Sequence, residues 1–405
     1  MNLPGRGGPP PLPMFAADAF PSRARSEWLT ARLGTLLGAA IAVCFATGLV
    51  SHLHQNPVSW LPLPAGPVWG YRVSQGLHVA TGLAALPLLV AKLWSVYPRL
   101  FVWPPVRSWR HALERGSVAL LAAATGFELL TGVLNVAHLY LWPFFFPAAH
   151  YAVAWVVAGS VLVHLAVKWP AIVRGLRHHD RRAPVDDARA EDRSPEDGAT
   201  EAPSAPGGTV GRRAVLWAAV GGAAAITATT VGQTLRPLGW AGLLAPRSPE
   251  QAPQGMPVNR TAAAAGVVAA GADPGYRLVV AGPRLAEYSL ADLQRLPQTQ
   301  VDLPIACVEG WSATGRWSGI RLRDLLDRSG VPESATVRTV SLERDGLYAS
   351  AEVPPQFARH PDTLLALRLD GRELTPDHGF PVRLIAPNRP GVLQTKWVGR
   401  VEVVA

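Results

Sequence analysis

Two sets of side chains in this sequence have the chemistry to hold a metal. One is a single cysteine, Cys307, in the run Ala306-Cys307-Val308-Glu309-Gly310-Trp311-Ser312. The other is a group of histidines. Seven of the eleven fall before residue 170: His52, His54, His78, His111, His138, His150 and His164. Cys307 ends a predicted strand and opens a polar, glycine-containing loop, where a thiolate is either a nucleophile or a soft metal ligand. No Cys-x-x-Cys or His-x-x-His partner stands nearby, which disfavours zinc. The other cysteine, Cys44, lies far away in an apolar run, so the two do not read as a disulfide.

The histidines fall in or beside long apolar runs, and ionisable groups inside a bilayer are costly and usually functional. His78 sits just inside the outer end of the second run, and His150 opens the fourth on the same side. His164 lies 14 positions after His150, close to four helical turns and ~21 Å along the axis, so the two share a face. This is the pattern for b haem in a four-helix bundle, where each iron takes two imidazoles from facing helices. His78 with His150 is the expected outer pair, with His52 and His54 as rival outer ligands. His164 needs a partner at cytoplasmic depth, and His111 stands near that end of the third run. Lys92, 14 positions after His78, is placed to face His164 and to pair a haem propionate. One haem is expected and a second is open. His52, His54, His111 and His138 read individually as interfacial residues bonded to loops.

Five apolar runs are long enough to carry these residues across a bilayer, which needs ~20 residues each. They lie near Leu33–Ser51, Gly76–Tyr97, Gly116–His138, His150–Trp169 and Ala214–Leu235. Basic residues gather before the first run (Arg23, Arg25, Arg32), between the second and third (Arg99, Arg107, Arg110, Arg115), and between the fourth and fifth (Arg174, Arg177, Arg181, Arg182, Arg212, Arg213), while the loops 52–70 and 139–149 hold no Lys or Arg. The positive-inside rule then puts the N-terminus, the 98–115 loop and the 170–213 linker in the cytoplasm and the last third of the chain outside. Composition agrees: 49% of residues are hydrophobic and only 17% charged, and the net charge of +9 is spread over the ends of apolar runs. No Lys/Arg stripe with interleaved aromatics is present, which argues against nucleic acid.

The expected order is a Gly/Pro-rich disordered tail at 1–25 with no cleavable signal peptide, a helical membrane domain at 26–177, and a polar, disordered cytoplasmic linker at 178–211. A fifth span follows at 212–235, a spacer and domain edge at 236–272, and a mostly β domain at 273–405. In that last domain short β-branched runs fall at Arg277–Val280, Val301–Ala306, Val337–Leu342, Leu365–Asp370, Val382–Ala386 and Trp397–Val404. Asp370-Gly371 reads as a hairpin turn, and Leu290–Leu296 and Leu322–Ser329 as short helices.

The run Gln75-Gly76-Leu77-His78-Val79-Ala80-Thr81-Gly82, with the His150/His164 pair, resembles the cytochrome b membrane subunits of formate dehydrogenase and nickel-iron hydrogenase over roughly residues 30–177. The resemblance implies a four-helix bundle with bis-histidine haem b, one helix supplying two ligands. The first run departs from it in lacking an inner-side histidine.

The Cys307 segment resembles the molybdopterin-binding domain of the sulfite oxidase family. The likeness continues through Trp317-Ser318-Gly319-Ile320-Arg321-Leu322-Arg323-Asp324-Leu325-Leu326, Asp362-Thr363-Leu364-Leu365-Ala366, Gly371-Arg372-Glu373-Leu374, Asp377-His378-Gly379-Phe380-Pro381-Val382-Arg383-Leu384 and Gln394-Thr395-Lys396-Trp397-Val398-Gly399-Arg400. The resemblance implies an α+β fold with Cys307 on molybdenum. His378, Arg383 and Lys396 would hold the pterin and its phosphate, with Gln394 and Thr395 beside them, and Asp345, Asn259 and Arg260 as further contacts. The physics agrees, because Arg and Lys make charge-assisted hydrogen bonds to phosphate. Sulfite-oxidising members carry arginines soon after the cysteine, whereas here none follows until Arg316. That resembles the periplasmic methionine sulfoxide reductase branch. The family's C-terminal dimerisation domain has no expected counterpart before Ala405.

Gly211-Arg212-Arg213-Ala214-Val215-Leu216 resembles a twin-arginine export signal placed internally. The resulting expectation is a membrane-bound molybdopterin oxidoreductase. Electrons would pass between a quinone pool, haem b and molybdenum, for oxygen-atom transfer on a small extracytoplasmic substrate such as a sulfoxide. A sulfite-type oxidase running the other way and a haem conduit for a partner enzyme are the alternatives.

Overall fold

The computed structural model describes residues 22, 24–58, 60–102, 104, 106–141, 144–177, 210–231, 240–245, 247, 249 and 252–404. The expected tail at 1–25 and linker at 178–211 fall almost wholly outside these residues, as does 232–239.

Five long helices come first: α1 (Glu27–Gln55), α2 (Gly70–Val96), α3 (Trp109–Val136), α4 (Phe146–Arg177) and α5 (Arg212–Val231). All five are long and apolar enough to cross a membrane. The first four outrun their apolar stretches at both ends or at one, because helical hydrogen bonding continues through polar turns where an apolar stripe stops. α3 ends at Val136, short of His138, which takes a left-handed φ of 60° just beyond it. The first turn of α2 is capped from 317 residues away: Asn388 Oδ1 accepts the Tyr71 N–H at 2.6 Å. Asn388 itself sits at φ 53°, in the left-handed region that Asn tolerates.

The chain divides into two compact units, with α1, α2, α3 and α5 contributing to both. The first comprises Met1–Ala42, Ala84–Leu130 and Phe146–Ala225. Its core joins Leu29, Leu33 and Leu37 of α1, Ala85 and Leu88 of α2, and Ala219 and Ala223 of α5. Small residues bring backbones close, as is common between membrane helices: a Cβ on Gly222 would lie 3.4 Å from Pro87, and one on Gly175 would meet the Glu27 carbonyl at 2.8 Å. Lys92 Nζ donates to the Thr30 carbonyl at 2.7 Å, and Lys168 pairs with Glu114.

The second unit comprises Val43–Leu83, Thr131–Phe145 and Ile226–Ala405. Its sheet-rich part holds the short helices α6 (Val268–Ala272), α7 (Leu290–Arg295), α8 (Leu322–Arg328) and α9 (Pro355–Ala358). Its strands are β1 (Arg277–Ala281), β2 (Leu285–Ser289), β3 (Thr299–Ala306), β4 (Ser312–Arg321), β5 (Val337–Ser341), β6 (Ser350–Val353), β7 (Leu364–Leu369), β8 (Arg372–Glu373), β9 (Arg383–Ile385) and β10 (Val398–Val403). One sheet runs β2-β1-β10-β5-β6, with β1 and β10 parallel. The other runs β3-β4-β7-β8, with β9 also on β7, and is antiparallel.

The six strands and two short helices expected from sequence correspond to elements here, and Asp370 (φ 51°) with Gly371 (φ 76°) turns the β7–β8 hairpin. Strands β2, β4, β6 and β8 were not expected. β4 is the longest in the domain, and its glycines hid it. A Cβ on Gly315 would lie 2.5 Å from Leu369, and one on Gly319 would run into the Leu365 backbone, so residues of poor strand propensity are what close packing of β4 on β7 requires. One core packs Leu278, Val280, Leu322, Leu325, Val337 and Val401. A second packs Met256, Leu303, Ile305, Trp317, Leu369 and Ile385 around Cys307.

Candidate functional site

Strand β3 delivers Cys307 to a loop that returns at once into β4, where Ala306 pairs with Ser312. The loop is tight. Cys307 N–H donates to the Trp311 carbonyl at 2.9 Å, and Gly310 N–H donates to the Cys307 carbonyl at 3.1 Å. Gly310 closes it at φ +90°, a conformation that favours glycine. The thiol is buried, with 1% of its residue surface exposed. Burial first, and then the neighbouring Glu309 carboxylate, push it well above the ordinary thiol range, while Arg247 pulls the other way. A cation coordinated at the sulfur would reverse that balance and favour the thiolate.

Glu309 and Trp311 do not face outwards from the loop. Glu309 is buried, and its Oε2 accepts from Trp311 Nε1 at 2.9 Å, lies 2.5 Å from His138 Nε2 and lies 3.5 Å from Arg247 Nε. Trp311 is buried as well.

A cationic group lies within electrostatic reach of Cys307, from the first residue of β9 and the lead-in before β10. Arg383 is 4% exposed, its Nη1 donates to the His378 carbonyl at 3.2 Å, and it stacks 5.4 Å over the Trp317 ring. Lys396 Nζ donates to the carbonyls of Asp377 (2.8 Å) and Arg260 (2.9 Å). Gly379, at φ +108°, lets them meet: a Cβ there would lie 3.1 Å from Arg383 Cβ and 3.2 Å from Lys396 Cβ. Burial lowers the Arg383 guanidinium to about 9, with Cys307 acting against the shift. Burial, and then Arg383, hold the Lys396 ammonium well below its usual range. Burial takes the His378 imidazole down to about 4.

A buried guanidinium with a half-buried ammonium crowded beside it is unfavourable without an anion. The neighbouring donor set points the same way. His378 Nδ1 and Arg383 Nε are buried without a hydrogen-bond partner among the described residues. His378 Nε2 contacts the Pro253 carbonyl at 2.7 Å. A phosphate-bearing, hydrogen-bonding cofactor fits such a cradle, and a lone thiolate beside it fits a metal carried by that cofactor. No three His, Cys, Asp or Glu side chains cluster as a metal cage among the described residues.

The structure therefore brings Cys307, His378, Arg383 and Lys396 together, with Arg260 joined through its carbonyl. Arg260 also pairs with Glu343 at 2.5 Å, and Asn259 Oδ1 accepts the Arg260 N–H at 3.0 Å. Other expected residues are engaged elsewhere. Gln394 Nε2 donates to the Arg389 carbonyl, the Thr395 hydroxyl meets Thr339 Oγ1 at 2.8 Å, and Asp345 is exposed on a bend. Arg316 is exposed and pairs with Asp302 at 3.0 Å. Sequence reasoning missed Arg247, a lone cation in a Pro/Ala-rich stretch with no signal. It also missed Tyr348, close enough to Cys307 for the thiolate charge to raise its phenol pKa beyond the larger effect of burial. The Asp345-Gly346 turn before Tyr348 was the available signal.

Among the histidines, two make the contact that fixes a metal-ligating tautomer. His78 Nδ1 lies 2.9 Å from the Cys44 carbonyl, and the ring lies against α1 where Gly48 leaves space. His150 Nδ1 lies 3.0 Å from Glu128 Oε2. A proton on Nδ1 held by a carbonyl or carboxylate is the outer contact that metal-ligating imidazoles commonly make, and both rings have it. Lys92 and Lys168 lie within electrostatic reach of His164. His54 packs edge-on to Tyr71 at 5.1 Å, His52 Nδ1 lies 3.3 Å from Asn56 Nδ2, and His111 Nδ1 accepts the Arg107 N–H.

Residues 265–405 match the family model described as oxidoreductase molybdopterin binding domain. The chain is 36% identical over 158 residues to a sulfite oxidase of Gallus gallus, covering 32% of this chain and 34% of that protein. It is 32% identical over 157 residues to the mitochondrial sulfite oxidase of Mus musculus, covering 32% and 29%. It is also 35% identical over 112 residues to a protein of Azospira oryzae named as a protein-methionine-sulfoxide reductase subunit, YedZ1, covering 27% and 41%. The chain thus spans about a third of the length of the sulfite oxidases it matches. Residues 265–405 form a molybdopterin-binding domain of the oxidoreductase type, following five helices able to cross a membrane.

Proposed function

We propose that this chain is a membrane-anchored molybdopterin-dependent oxidoreductase that takes electrons from membrane quinol through haem b and reduces a small, uncharged oxygen-atom donor outside the cytoplasm. The observation that carries the reading is the cradle of buried Arg383 and His378 with half-buried Lys396 near Cys307, in which His378 Nδ1 and Arg383 Nε have no hydrogen-bond partner among the described residues. When bound, the molybdenum cofactor supplies two-electron oxygen-atom transfer. Cys307 would be its protein thiolate, Arg383 and Lys396 would neutralise its phosphate, and His378, held neutral by burial, would give or take a hydrogen bond at the pterin. The Trp317 ring holds the guanidinium in place from one face.

His78 and His150 would hold haem, supported by the Nδ1 contacts to the Cys44 carbonyl and Glu128. His164 is the candidate for a second. The charge pattern supports a cytoplasmic N-terminus and a catalytic domain outside, and the Arg212-Arg213 pair in the first turn of α5 supports export of a folded, loaded domain.

Reduction of a sulfoxide is preferred to oxidation of sulfite because Arg247, the Lys or Arg paired with the Cys307 loop among the described residues, is already claimed by Glu309. An anionic substrate would have to be desolvated without a fixed partner, at a cost of several kcal/mol. The test is metal and pterin content of the detergent-purified chain and of Cys307→Ser. Steady-state turnover would then be compared for methionine sulfoxide with a reduced dye and for sulfite with an artificial acceptor. Molybdenum with sulfoxide turnover that is lost in the variant is expected. Absence of molybdenum refutes the reading, and much faster sulfite turnover reverses its direction.

A further inference from the structure

The loop that begins at Cys307 is held against α2 and α3 more firmly than a turn of five residues needs. The Val308 carbonyl accepts two side-chain amides, Gln75 Nε2 at 3.4 Å and Asn135 Nδ2 at 3.1 Å. Each amide is oriented by a second donor on its oxygen. Ser51 Oγ donates to Gln75 Oε1 at 3.0 Å and also meets the Tyr71 hydroxyl at 3.0 Å, while the Tyr140 hydroxyl donates to Asn135 Oδ1 at 3.2 Å. Both amides are buried. With their oxygens occupied, the NH2 groups are directed to Val308. Next along the loop, Gly310 packs so closely that a Cβ would lie 3.0 Å from Val79 Cγ1 and 3.6 Å from Val136 Cγ2. Glu309, between them, is pinned by His138 and Arg247.

Two of these contacts bracket one residue of α2. Gln75 lies one turn before His78, and Val79 follows it. Val308 and Gly310 lie one and three residues after Cys307. Hydrogen bonds and close van der Waals contact are the short gaps an electron crosses between covalent segments. We propose that the Cys307–Trp311 loop is the electron-transfer junction of this chain, with Gln75, Asn135 and Val79 as positioning residues that hold it against the His78 segment of α2. The inference rests on the proposed function, which puts haem at His78 and molybdenum at Cys307.

Electrons cross the junction singly and without protons. A quinol releases two electrons and two protons. A sulfoxide takes up two electrons and two protons, the S–O bond breaks, and a sulfide and water result. The protons exchange with the outer solution, so the junction needs to conduct only electrons. Amides and a backbone carbonyl, which do not titrate near neutral pH, suit that task.

The test uses the full-length, cofactor-loaded chain in detergent, as wild type, Gln75→Leu, and Gln75→Leu with Asn135→Leu. Three quantities are read: the visible haem spectrum, sulfoxide turnover driven by a reduced dye that feeds molybdenum directly, and the rate at which reduced haem is oxidised on mixing with methionine sulfoxide. The expected result is an unchanged spectrum and dye-driven turnover within twofold of wild type. Haem oxidation slows tenfold or more in the double variant and less in Gln75→Leu. Unchanged haem oxidation overturns the junction alone. A parallel fall in dye-driven turnover also overturns it, because the contacts then merely support Cys307. Wild type without haem absorbance overturns the proposed function and the inference with it.

Discussion

Arg383 offers a test in which two effects have opposite signs. Burial lowers its guanidinium from the ordinary value to about 9. At ~1.4 kcal/mol per pH unit of displacement, that is a penalty of several kcal/mol on the charged form. Arg383→Met keeps much of the volume, keeps an apolar contact with Trp317 and removes the charge. In protein made without the cofactor, replacing an uncompensated buried charge by an apolar group of similar size should stabilise by ~1–4 kcal/mol. In loaded protein the same change removes one partner of a buried charge pair, a loss of ~3–5 kcal/mol, equivalent to roughly 100-fold or more in cofactor affinity. The assay is tryptophan-monitored melting of chain purified from cells unable to make the pterin, with molybdenum content after gel filtration of chain from competent cells. The sheet-rich domain should melt several degrees higher without cofactor, at ~2–4 °C per kcal/mol for this size. Its molybdenum content should fall below about a tenth of wild type. A variant that retains molybdenum, or that melts lower without cofactor, refutes the assignment of Arg383 to an anionic ligand.

Three further outcomes are expected. Because the folded His378 imidazole is held at about 4 against an ordinary 6.5, protonation favours the unfolded chain. Stability is then present above pH 6.5, is lost progressively as pH falls to about 4, and is flat below. Cofactor-free His378→Asn should show a shallower loss of melting temperature across that window, and parallel curves would refute it. His78→Ala should remove one b-haem component from the reduced-minus-oxidised spectrum, and an unchanged spectrum would shift the assignment to His52 or His54. A reporter active only outside the cytoplasm should be silent when fused after residue 182 and active after residue 235, and the reverse pattern would overturn both orientation and export.

The elements whose sequence signature is a length or a period were legible. Five long helices announced themselves by apolar runs near the bilayer's thickness, and Cys307 stood out by the company it keeps. What stayed hidden depends on contacts between distant segments. Strand β4 carries Gly315 and Gly319 because β7 leaves no space for a Cβ, and that demand appears in no local propensity. Glu309 binds the Trp311 indole N–H beside it and also His138 and Arg247, far away in sequence. Arg247 could not be placed because its stretch has neither period nor turn signal. Of the residues expected to hold a pterin and its phosphate, His378, Arg383 and Lys396 come together, whereas the Thr395 hydroxyl meets Thr339 Oγ1.

The cap on α2 has a consequence for how the chain matures. The Tyr71 amide at the head of that helix is satisfied by Asn388, which also donates to the Pro64 carbonyl in the loop before it. The ribosome completes α2, at Val96, nearly three hundred residues before it reaches Asn388. On the proposed topology the helix is threaded into the bilayer with water or lipid headgroups on its leading amides, and it exchanges them for the asparagine only after the catalytic domain has been translocated. On that topology the closed end of α2 becomes a mark of completed assembly.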